Sequence, residues 1–167
     1  MNANADERLT AGQNIKWSFN FRQDNINYKS ARKTSLDFLR RMAVGYTLNI
    51  CCGLDPSGDV KADIDAELLE KLNSIKIDCS DYVVCDVMHP PFRAGSFDTV
   101  ICDPPFSFYN RFRWLRLLED IARKRLILCV PLVNIHLNRD RWEKELYYID
   151  STGIFLRLWW VFTKKCD

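Results

Sequence analysis

Nearly continuous apolar segments that alternate with amphipathic ones constrain the fold of this chain most strongly. Such segments predict five buried strands, over Thr47–Cys52, Val60–Ile64, Tyr82–Cys85, Thr99–Cys102 and Leu126–Val130. Strands without a polar face are typical of a parallel sheet that helices cover on both sides. The pattern therefore predicts a Rossmann-like α/β fold with a mostly parallel sheet.

Helical spacing and a C-terminal hairpin complete the predicted architecture. Helices are predicted over Ser35–Met42, Ala66–Leu72 and Phe112–Ala122. The first has Thr34 or Ser35 available as its N-cap. Beyond the fifth strand, Glu145–Ile149 and Ile154–Thr163 flank the turn sequence Ser151-Thr152-Gly153, which predicts two antiparallel strands. We expect a seven-stranded sheet with helices on both faces.

The composition is that of an ordinary globular protein. The chain has 167 residues, of which 47% are apolar and 28% charged, and no apolar run reaches the length that a bilayer requires. Residues 1–22 lack the apolar stretch of a secretory signal, so we expect a cytoplasmic protein. Seven cysteines without a CxxC pair fit a reducing compartment, and the isolated His89 and His136 do not support a metal site.

Charge is distributed unevenly along the chain. Residues 1–46 carry eight Lys and Arg against four Asp and Glu, residues 47–103 carry four against eleven, and residues 104–167 carry twelve against seven. An acidic middle suits a cationic ligand, and basic flanks suit a polyanion. A scattered set of solvated charges is the alternative, because it would give the same totals.

The residues that follow the predicted strands point to a ligand site. In open α/β sheets, ligands bind beyond the carboxyl ends of the strands. There the sequence places Gly53, Asp63, Asp86 and Asp103, each after a different strand. Asp63 could accept hydrogen bonds from two ribose hydroxyls, and Asp86 could accept one from an adenine amino group. Asp65 is either an alternative ribose ligand or the N-cap of the following helix.

The sequence Asp103-Pro104-Pro105-Phe106 is the strongest chemical signal. Two successive prolines cannot donate hydrogen bonds and they stiffen the backbone, so the carbonyls of Asp103 and Pro104 can act as a rigid pair of acceptors. Such a pair could orient the hydrogens of an exocyclic NH2 group, and Phe106 could stack on a planar base. A proline-stiffened turn without chemistry is the alternative.

The ordered motifs resemble a known family. Leu48-Asn49-Ile50-Cys51-Cys52-Gly53, then Asp63 and Asp86, then the stretch from Pro91 to Phe106 look like the class I S-adenosylmethionine-dependent methyltransferases. Within that class, a (D/N)PP(Y/F/W) motif after the fourth strand marks enzymes that methylate adenine N6, cytosine N4, guanine N2, or a protein amide or amine. The resemblance covers residues 45–130 and implies direct transfer of the sulfonium methyl to nitrogen.

The resemblance also implies roles for individual residues. The catalytic residues would be Asp103, Pro104, Pro105 and Phe106. The residues on S-adenosylmethionine would be Cys52, Gly53, Asp63, Ile64, Asp86, Val87 and Asp103. One departure is the short connection Gly53–Val60, because parallel neighbours normally need a crossover of about a dozen residues or more. No added target-recognition domain is evident, so we expect a partner chain or the flanking segments to select the substrate.

Aromatic and basic residues flank the predicted core on both sides. The candidate substrate contacts are Trp17, Phe106, Tyr109, Arg111 and Arg113. Aromatic side chains can stack on bases and arginines can neutralise phosphates, which favours DNA or RNA as the substrate with adenine N6 as the target. The alternative is that Arg111 and Arg113 are ordinary solvated charges of an amphipathic helix.

We expect a single methyltransferase domain over residues 1–167. It would comprise an N-terminal helical and substrate segment (1–46), a cofactor and catalytic core (47–130), and a C-terminal helix and hairpin (131–167). Three other functions stay open. They are a protein N-methyltransferase acting on Gln, Asn or Lys, a non-catalytic methyltransferase-like subunit that binds a partner, and plain nucleotide binding, which the lack of G-x-G-x-x-G disfavours.

Overall fold

The computed structural model describes residues 31–75, 80–105, 113–130, 137, 140–151 and 155–165. The helices in these ranges are α1 (Ala31–Met42), α2 (Ala66–Ser74) and α3 (Arg113–Ile121). The strands are β1 (Thr47–Ile50), β2 (Val60–Asp63), β3 (Asp81–Val84), β4 (Phe97–Cys102), β5 (Ala122–Cys129), β6 (Trp142–Ser151) and β7 (Phe155–Lys164). The C-terminal helix expected before the hairpin falls largely outside the described ranges.

The seven strands form one sheet in the order β3-β2-β1-β4-β5-β7-β6. All pairings among β1 to β5 are parallel, whereas β7 pairs antiparallel with both β5 and β6. The chain runs outward from β1 to β3 and then returns to place β4 on the other side of β1. The predicted seven-stranded, mostly parallel sheet with a C-terminal antiparallel hairpin is confirmed.

Helices cover both faces of the sheet because side chains alternate along each strand. Cys102 lies on one face, in a core cluster with Leu118 of α3. Ile101 lies on the other face, in a second cluster with Leu39 of α1. Leu69 of α2 is buried in a third, smaller cluster beside β3. The prediction of helices on both faces is therefore also confirmed.

Several helix boundaries differ from the sequence prediction, including the end of α2, which lies at Ser74 instead of Leu72. α1 begins at Ala31, so Ser35 lies inside the helix and is buried, and neither it nor Thr34 is the N-cap. The extra turn is explained by good helix formers before the predicted cap. α3 ends at Ile121, and Ala122 already starts β5. There the sheet pairing of Ala122 overrides its helical propensity.

The first strand ends two residues earlier than its apolar sequence predicts. Cys51 has a left-handed backbone with a φ of 56°, which a strand cannot accommodate. β1 therefore stops at Ile50, and residues 51–59 return the chain to β2 without a helix. This connection is the unusual feature that the short spacing of the sequence indicated.

A polar layer takes the place of a helix in this connection. Asn49 and Lys61 are neighbours in register on β1 and β2, and both are buried. Nδ2 of Asn49 donates to the Ser57 carbonyl at 3.2 Å. Nζ of Lys61 donates to the Gly58 carbonyl at 3.1 Å and to the hydroxyl of Ser80. The loop therefore packs directly on the sheet, and its carbonyls accept hydrogen bonds from the buried Asn49 and Lys61 side chains.

The opposite edge of the sheet is fastened by Asp98, at the amino end of β4. Its carboxylate accepts the Tyr46 N–H at 3.1 Å and pairs with Arg123 at 2.8 Å and Lys124 at 3.1 Å. The hydrogen bond from Tyr46, followed by that from Lys124, holds the pKa of Asp98 below its usual value. The ionised carboxylate therefore stabilises the fold at neutral pH, and this contribution is lost as the pH falls through the lowered pKa.

We expect Gly45→Ala to destabilise the protein more than Gly95→Ala. Both glycines have similar positive φ values, 62° and 64°, so each alanine incurs the same backbone cost of about 1–2 kcal/mol. A Cβ at Gly45 would also lie 2.2 Å from Oδ2 of Asp98, whereas one at Gly95 meets nothing within 4 Å. Urea unfolding should show a further loss of roughly 1–3 kcal/mol for Gly45→Ala. Equal losses for the two variants would contradict this packing.

Candidate cofactor and catalytic site

The carboxyl ends of β1 to β4 lie along one edge of the sheet, here called the carboxyl edge. At this edge, Asp63 connects the ends of β1 and β2. Asp63 is the last residue of β2. Its Oδ2 accepts the N–H of Gly53 at 2.8 Å, and its Oδ1 accepts the N–H of Asp65 at 3.1 Å. Because Gly53 belongs to the turn after β1, the carboxylate fixes that turn against the end of β2.

Asp63 keeps the capacity to bind a ligand. Its side chain is partly exposed, and each carboxylate oxygen has lone pairs for more than the one backbone bond that it accepts. Two hydroxyls on neighbouring carbons, as in a ribose, match two such acceptors. The next residue, Ile64, is 68% exposed and offers an apolar surface beside the carboxylate. This pair of acceptors beside an apolar surface fits a nucleoside.

Asp86 stands after β3, in a turn that it stabilises itself. Its Oδ1 accepts the N–H of Met88 at 2.9 Å, and its side chain is 39% exposed. The preceding N–H, of Cys85, donates to the Asp63 carbonyl at 2.9 Å. The following residue, Val87, is buried in the core. Asp86 is therefore an accessible acceptor on a backbone that is anchored on both sides.

Asp65 caps α2. Its Oδ1 accepts the N–H of Glu67 at 3.0 Å and that of Leu68 at 3.2 Å, which is the usual bonding of a helix N-cap. Of the two roles that the sequence left open for Asp65, the structure shows the capping role. Asp63 is then the carboxylate at the end of β2 that is placed for a ligand.

The Asp103-Pro104-Pro105 segment follows β4 directly. Since β4 lies beside β1 in the sheet, Asp103 leaves the sheet next to the turn that carries Gly53. Asp103 is partly buried, Pro104 is buried and Pro105 is exposed. Pro104 thus anchors the segment in the protein interior, while Asp103 is left with accessible surface.

Not all of the predicted site residues can be located. Trp17, Phe106, Tyr109 and Arg111 lie outside the described residues. Arg113 is the first residue of α3 and is exposed. The residues that the structure places at the carboxyl edge are Cys52, Gly53, Asp63, Ile64, Asp86, Val87, Asp103, Pro104 and Pro105.

Three cysteines of the carboxyl edge, Cys52, Cys85 and Cys102, are held as neutral thiols. Burial, and after it the charge of Asp63, raises the pKa of Cys52 to about 12. Burial raises the pKa of Cys85 to about 11. Burial also raises the pKa of Cys102 well above its usual value. The charge of this edge at neutral pH therefore comes from its carboxylates, which favours a cationic ligand.

Cys52 was predicted from the sequence to contact the cofactor, whereas the positions of Cys85 and Cys102 at the carboxyl edge were not predicted. A signal was present, because Cys85 and Cys102 each end a predicted strand and directly precede a candidate carboxylate. The side chains described by the structure include no group of three His, Cys, Asp or Glu that could hold a metal ion. None of the helices described is long and apolar enough to span a membrane.

Comparison with known proteins identifies the fold. No family model and no curated protein sequence matches the chain. Its structure is similar to one in the complex between the Haloferax volcanii Trm112 methyltransferase activator and a putative methyltransferase, with a TM-score of 0.62 and 14% identity over 83% of this chain and 91% of that chain. The chain has the Rossmann-like methyltransferase fold.

Two further methyltransferase-fold structures extend the comparison. Magnesium protoporphyrin IX methyltransferase (ChlM) from Synechocystis PCC 6803, solved with bound SAM, matches with a TM-score of 0.55 and 13% identity over 79% of this chain and 77% of that chain. TrmN from Thermus thermophilus matches with a TM-score of 0.59 and 16% identity over 78% of this chain and 48% of that chain. At sequence identities this low, the structural similarity shows only that the methyltransferase fold is shared. The substrate must be inferred from the site.

We expect Asp63→Ala to destabilise the protein by about 1–3 kcal/mol, because it leaves the partly buried N–H of Gly53 without its acceptor. Asp65→Ala is the matched control, which removes an exposed helix cap and should cost about 1 kcal/mol. Urea unfolding compares the two, and hydrogen exchange of the Gly53 amide should accelerate only in Asp63→Ala. Unchanged exchange at Gly53 would contradict the role of Asp63 as the tie between β1 and β2.

Proposed function

We propose that this chain is an S-adenosylmethionine-dependent methyltransferase that methylates a planar nitrogen. The observation that carries the proposal is the Asp63 carboxylate, fixed between the ends of β1 and β2 beside the exposed Ile64. In sheet order, the strand ends follow one another as Asp86, Asp63, Gly53 and Asp103. Three strand spacings, about 14 Å, separate the outermost of these positions. One extended ligand can therefore contact all four.

The order of the strand ends assigns parts of the cofactor to residues. Asp86 would accept a hydrogen bond from the adenine amino group, and the N–H of Val87 would face a ring nitrogen. Ile64 would contact the flat base, and Asp63 would accept the ribose hydroxyls. Gly53 leaves open space above its Cα, where an added Cβ would meet nothing within 4 Å. S-adenosylmethionine supplies a methyl group that its sulfonium activates.

The segment from Asp103 to Phe106 would hold the acceptor amine in line with that methyl. Asp103 and the Pro104 carbonyl would accept the two hydrogens of an NH2 group, which directs its lone pair at the methyl carbon. Phe106 would stack on the planar target. No covalent bond to the protein is needed, so the rate depends on positioning and electrostatics.

The favoured acceptor is the exocyclic amine of a nucleic-acid base in DNA or RNA, with adenine N6 first. The aromatic and basic residues that would contact it are Trp17, Phe106, Tyr109, Arg111 and Arg113. A base within a duplex would have to be flipped out to reach Asp103. A protein amide or amine is the second acceptor class. The structural similarity to a complex with a methyltransferase activator supports a protein partner for this chain as well.

Asp103→Ala should lower methyl transfer by about 100-fold or more while leaving cofactor affinity nearly unchanged, because Asp103 orients the acceptor rather than the adenosine. Transfer is measured with radiolabelled S-adenosylmethionine on total RNA, genomic DNA and cell protein separately, and affinity by calorimetry. Asp120→Ala, an exposed substitution on α3, is the control.

The two readouts separate the possible results. Equal loss of transfer and cofactor binding in Asp103→Ala would contradict the role of Asp103. Label in protein rather than in nucleic acid, together with binding that does not depend on salt, would favour the second acceptor class. Cofactor binding without transfer to any pool would indicate a non-catalytic subunit.

Gly53→Ala should weaken S-adenosylmethionine binding by about tenfold or more, because its Cβ would occupy the space that the ligand needs. Gly95→Ala is a close structural control, since both glycines have positive φ values, 53° and 64°, and open space around the Cα. The two variants should lose similar free energy of unfolding but differ in calorimetric affinity. Unchanged affinity in Gly53→Ala would place the cofactor elsewhere.

A further inference from the structure

The thiols of Cys51, Cys85 and Cys102 lie on one face of the sheet at the carboxyl edge. Cys102 belongs to the core cluster beneath α3, and Cys51 and Cys85 pack against it. Because side chains alternate along a strand, an extended Cys51 would point to the face opposite that of Ile50. Its left-handed backbone, with a φ of 56°, returns the thiol to the face of Ile50 and Cys102.

The register of β1 with β4 brings Cys51 next to Cys102. Cys102 pairs in register with Ile50, so Cys51 lies one residue beyond the partner of Cys102. Parallel-strand geometry then gives a Cα separation of about 6 Å. Disulfides join Cα atoms about 4.4–6.8 Å apart. The two thiols can therefore be bridged without separating β1 from β4.

The two thiols differ in exposure. Cys51 is partly exposed, whereas Cys102 is fully buried. Burial raises the pKa of Cys102 well above its usual value. Cys102 therefore keeps its proton at neutral pH. An oxidant in solution reaches Cys51 first, and Cys102 is placed as the resolving thiol.

We propose that Cys51 and Cys102 are a redox modification site, at which hydrogen peroxide closes a reversible disulfide that prevents tight cofactor binding. The Cys51 sulfur attacks the peroxide, so that an S–O bond forms, the O–O bond breaks, and water and a sulfenic acid result. The Cys102 sulfur then attacks the sulfenic sulfur, so that an S–S bond forms and the hydroxyl leaves as water with the Cys102 proton. Two thiols are oxidised and one peroxide is reduced to two waters.

The disulfide would move the residues that contact the cofactor. It would bring the two sulfurs to a separation of about 2.05 Å. Cys51 directly precedes the turn that holds Gly53, and Cys102 directly precedes Asp103. Closure would therefore draw the Gly53 turn toward β4 and away from Asp63. This consequence rests on the proposed function, whereas the disulfide itself does not.

Peptide mapping of the full chain tests the disulfide. Reduced protein is treated with hydrogen peroxide, alkylated and digested with trypsin without reductant. Cleavage after Arg41 and Lys61 gives peptide 42–61 with Cys51, and cleavage after Arg93 and Arg111 gives peptide 94–111 with Cys102 as its only cysteine. We expect a cross-linked pair of these peptides that dithiothreitol separates.

Substitutions identify the thiols. Peptide 42–61 also contains Cys52, so Cys51→Ser must lose the cross-link. Cys129→Ser, on the other face of the sheet, must retain it. A cross-link that persists in Cys51→Ser would overturn the assignment, as would its absence from the parent chain after peroxide has consumed the free thiols.

Calorimetry with S-adenosylmethionine tests the switch. Peroxide should weaken binding to the parent chain by about tenfold or more, dithiothreitol should restore it, and Cys51→Ser should bind equally before and after peroxide. Equal affinity of the reduced and bridged forms would overturn the switch. If the reduced protein binds no cofactor, the proposed function and the switch both fail, whereas peptide mapping still decides whether the disulfide forms.

Discussion

Two hydrogen bonds from backbone N–H groups to the Asp63 carboxylate hold the carboxyl edge together. They join the turn at Gly53 and the start of α2 to the end of β2. The N–H of Cys85, which donates to the Asp63 carbonyl, adds the end of β3. Because backbone N–H groups carry no net charge, they fix the direction of the carboxylate without neutralising it. One residue therefore orders three strand ends and keeps a negative charge for a ligand.

The short connection between β1 and β2 depends on buried polar groups rather than on helix packing. Asn49 and Lys61 present donors from the sheet, and the carbonyls of Ser57 and Gly58 accept them from the loop. Burying such a donor without an acceptor costs about 2–7 kcal/mol. The hydrogen bonds between the sheet and the loop therefore stabilise both. They hold the connection that contains Gly53 in place, although this connection has no helix.

The strands could be predicted from the sequence because they follow from local apolar patterning, although β1 ends two residues earlier than predicted. The positions of Asp63 at the end of β2 and of Asp103 after β4 are examples of successful predictions. The burial of Lys61 could not be predicted, since it depends on the register between β1 and β2 and on acceptors in a loop. The left-handed Cys51 could not be predicted either, because residues other than glycine seldom adopt positive φ. The placement of Cys51 on the same face of the sheet as Cys102 follows only from that conformation.

Aspartates serve different purposes at the two edges of the sheet because their partners differ. At the amino edge, the cations of Arg123 and Lys124 pair with Asp98. The hydrogen bond from the Tyr46 N–H, followed by that from Lys124, holds the pKa of this carboxyl low. The negative charge of Asp98 therefore stabilises the fold. At the carboxyl edge, backbone N–H groups orient Asp63, and the neighbouring Cys52 stays uncharged. A carboxylate paired with cations attracts a cationic ligand weakly, whereas a carboxylate oriented by neutral donors retains its electrostatic attraction for such a ligand. The location of the basic side chains at the amino end of β5 therefore leaves the carboxyl edge as the one that suits a sulfonium.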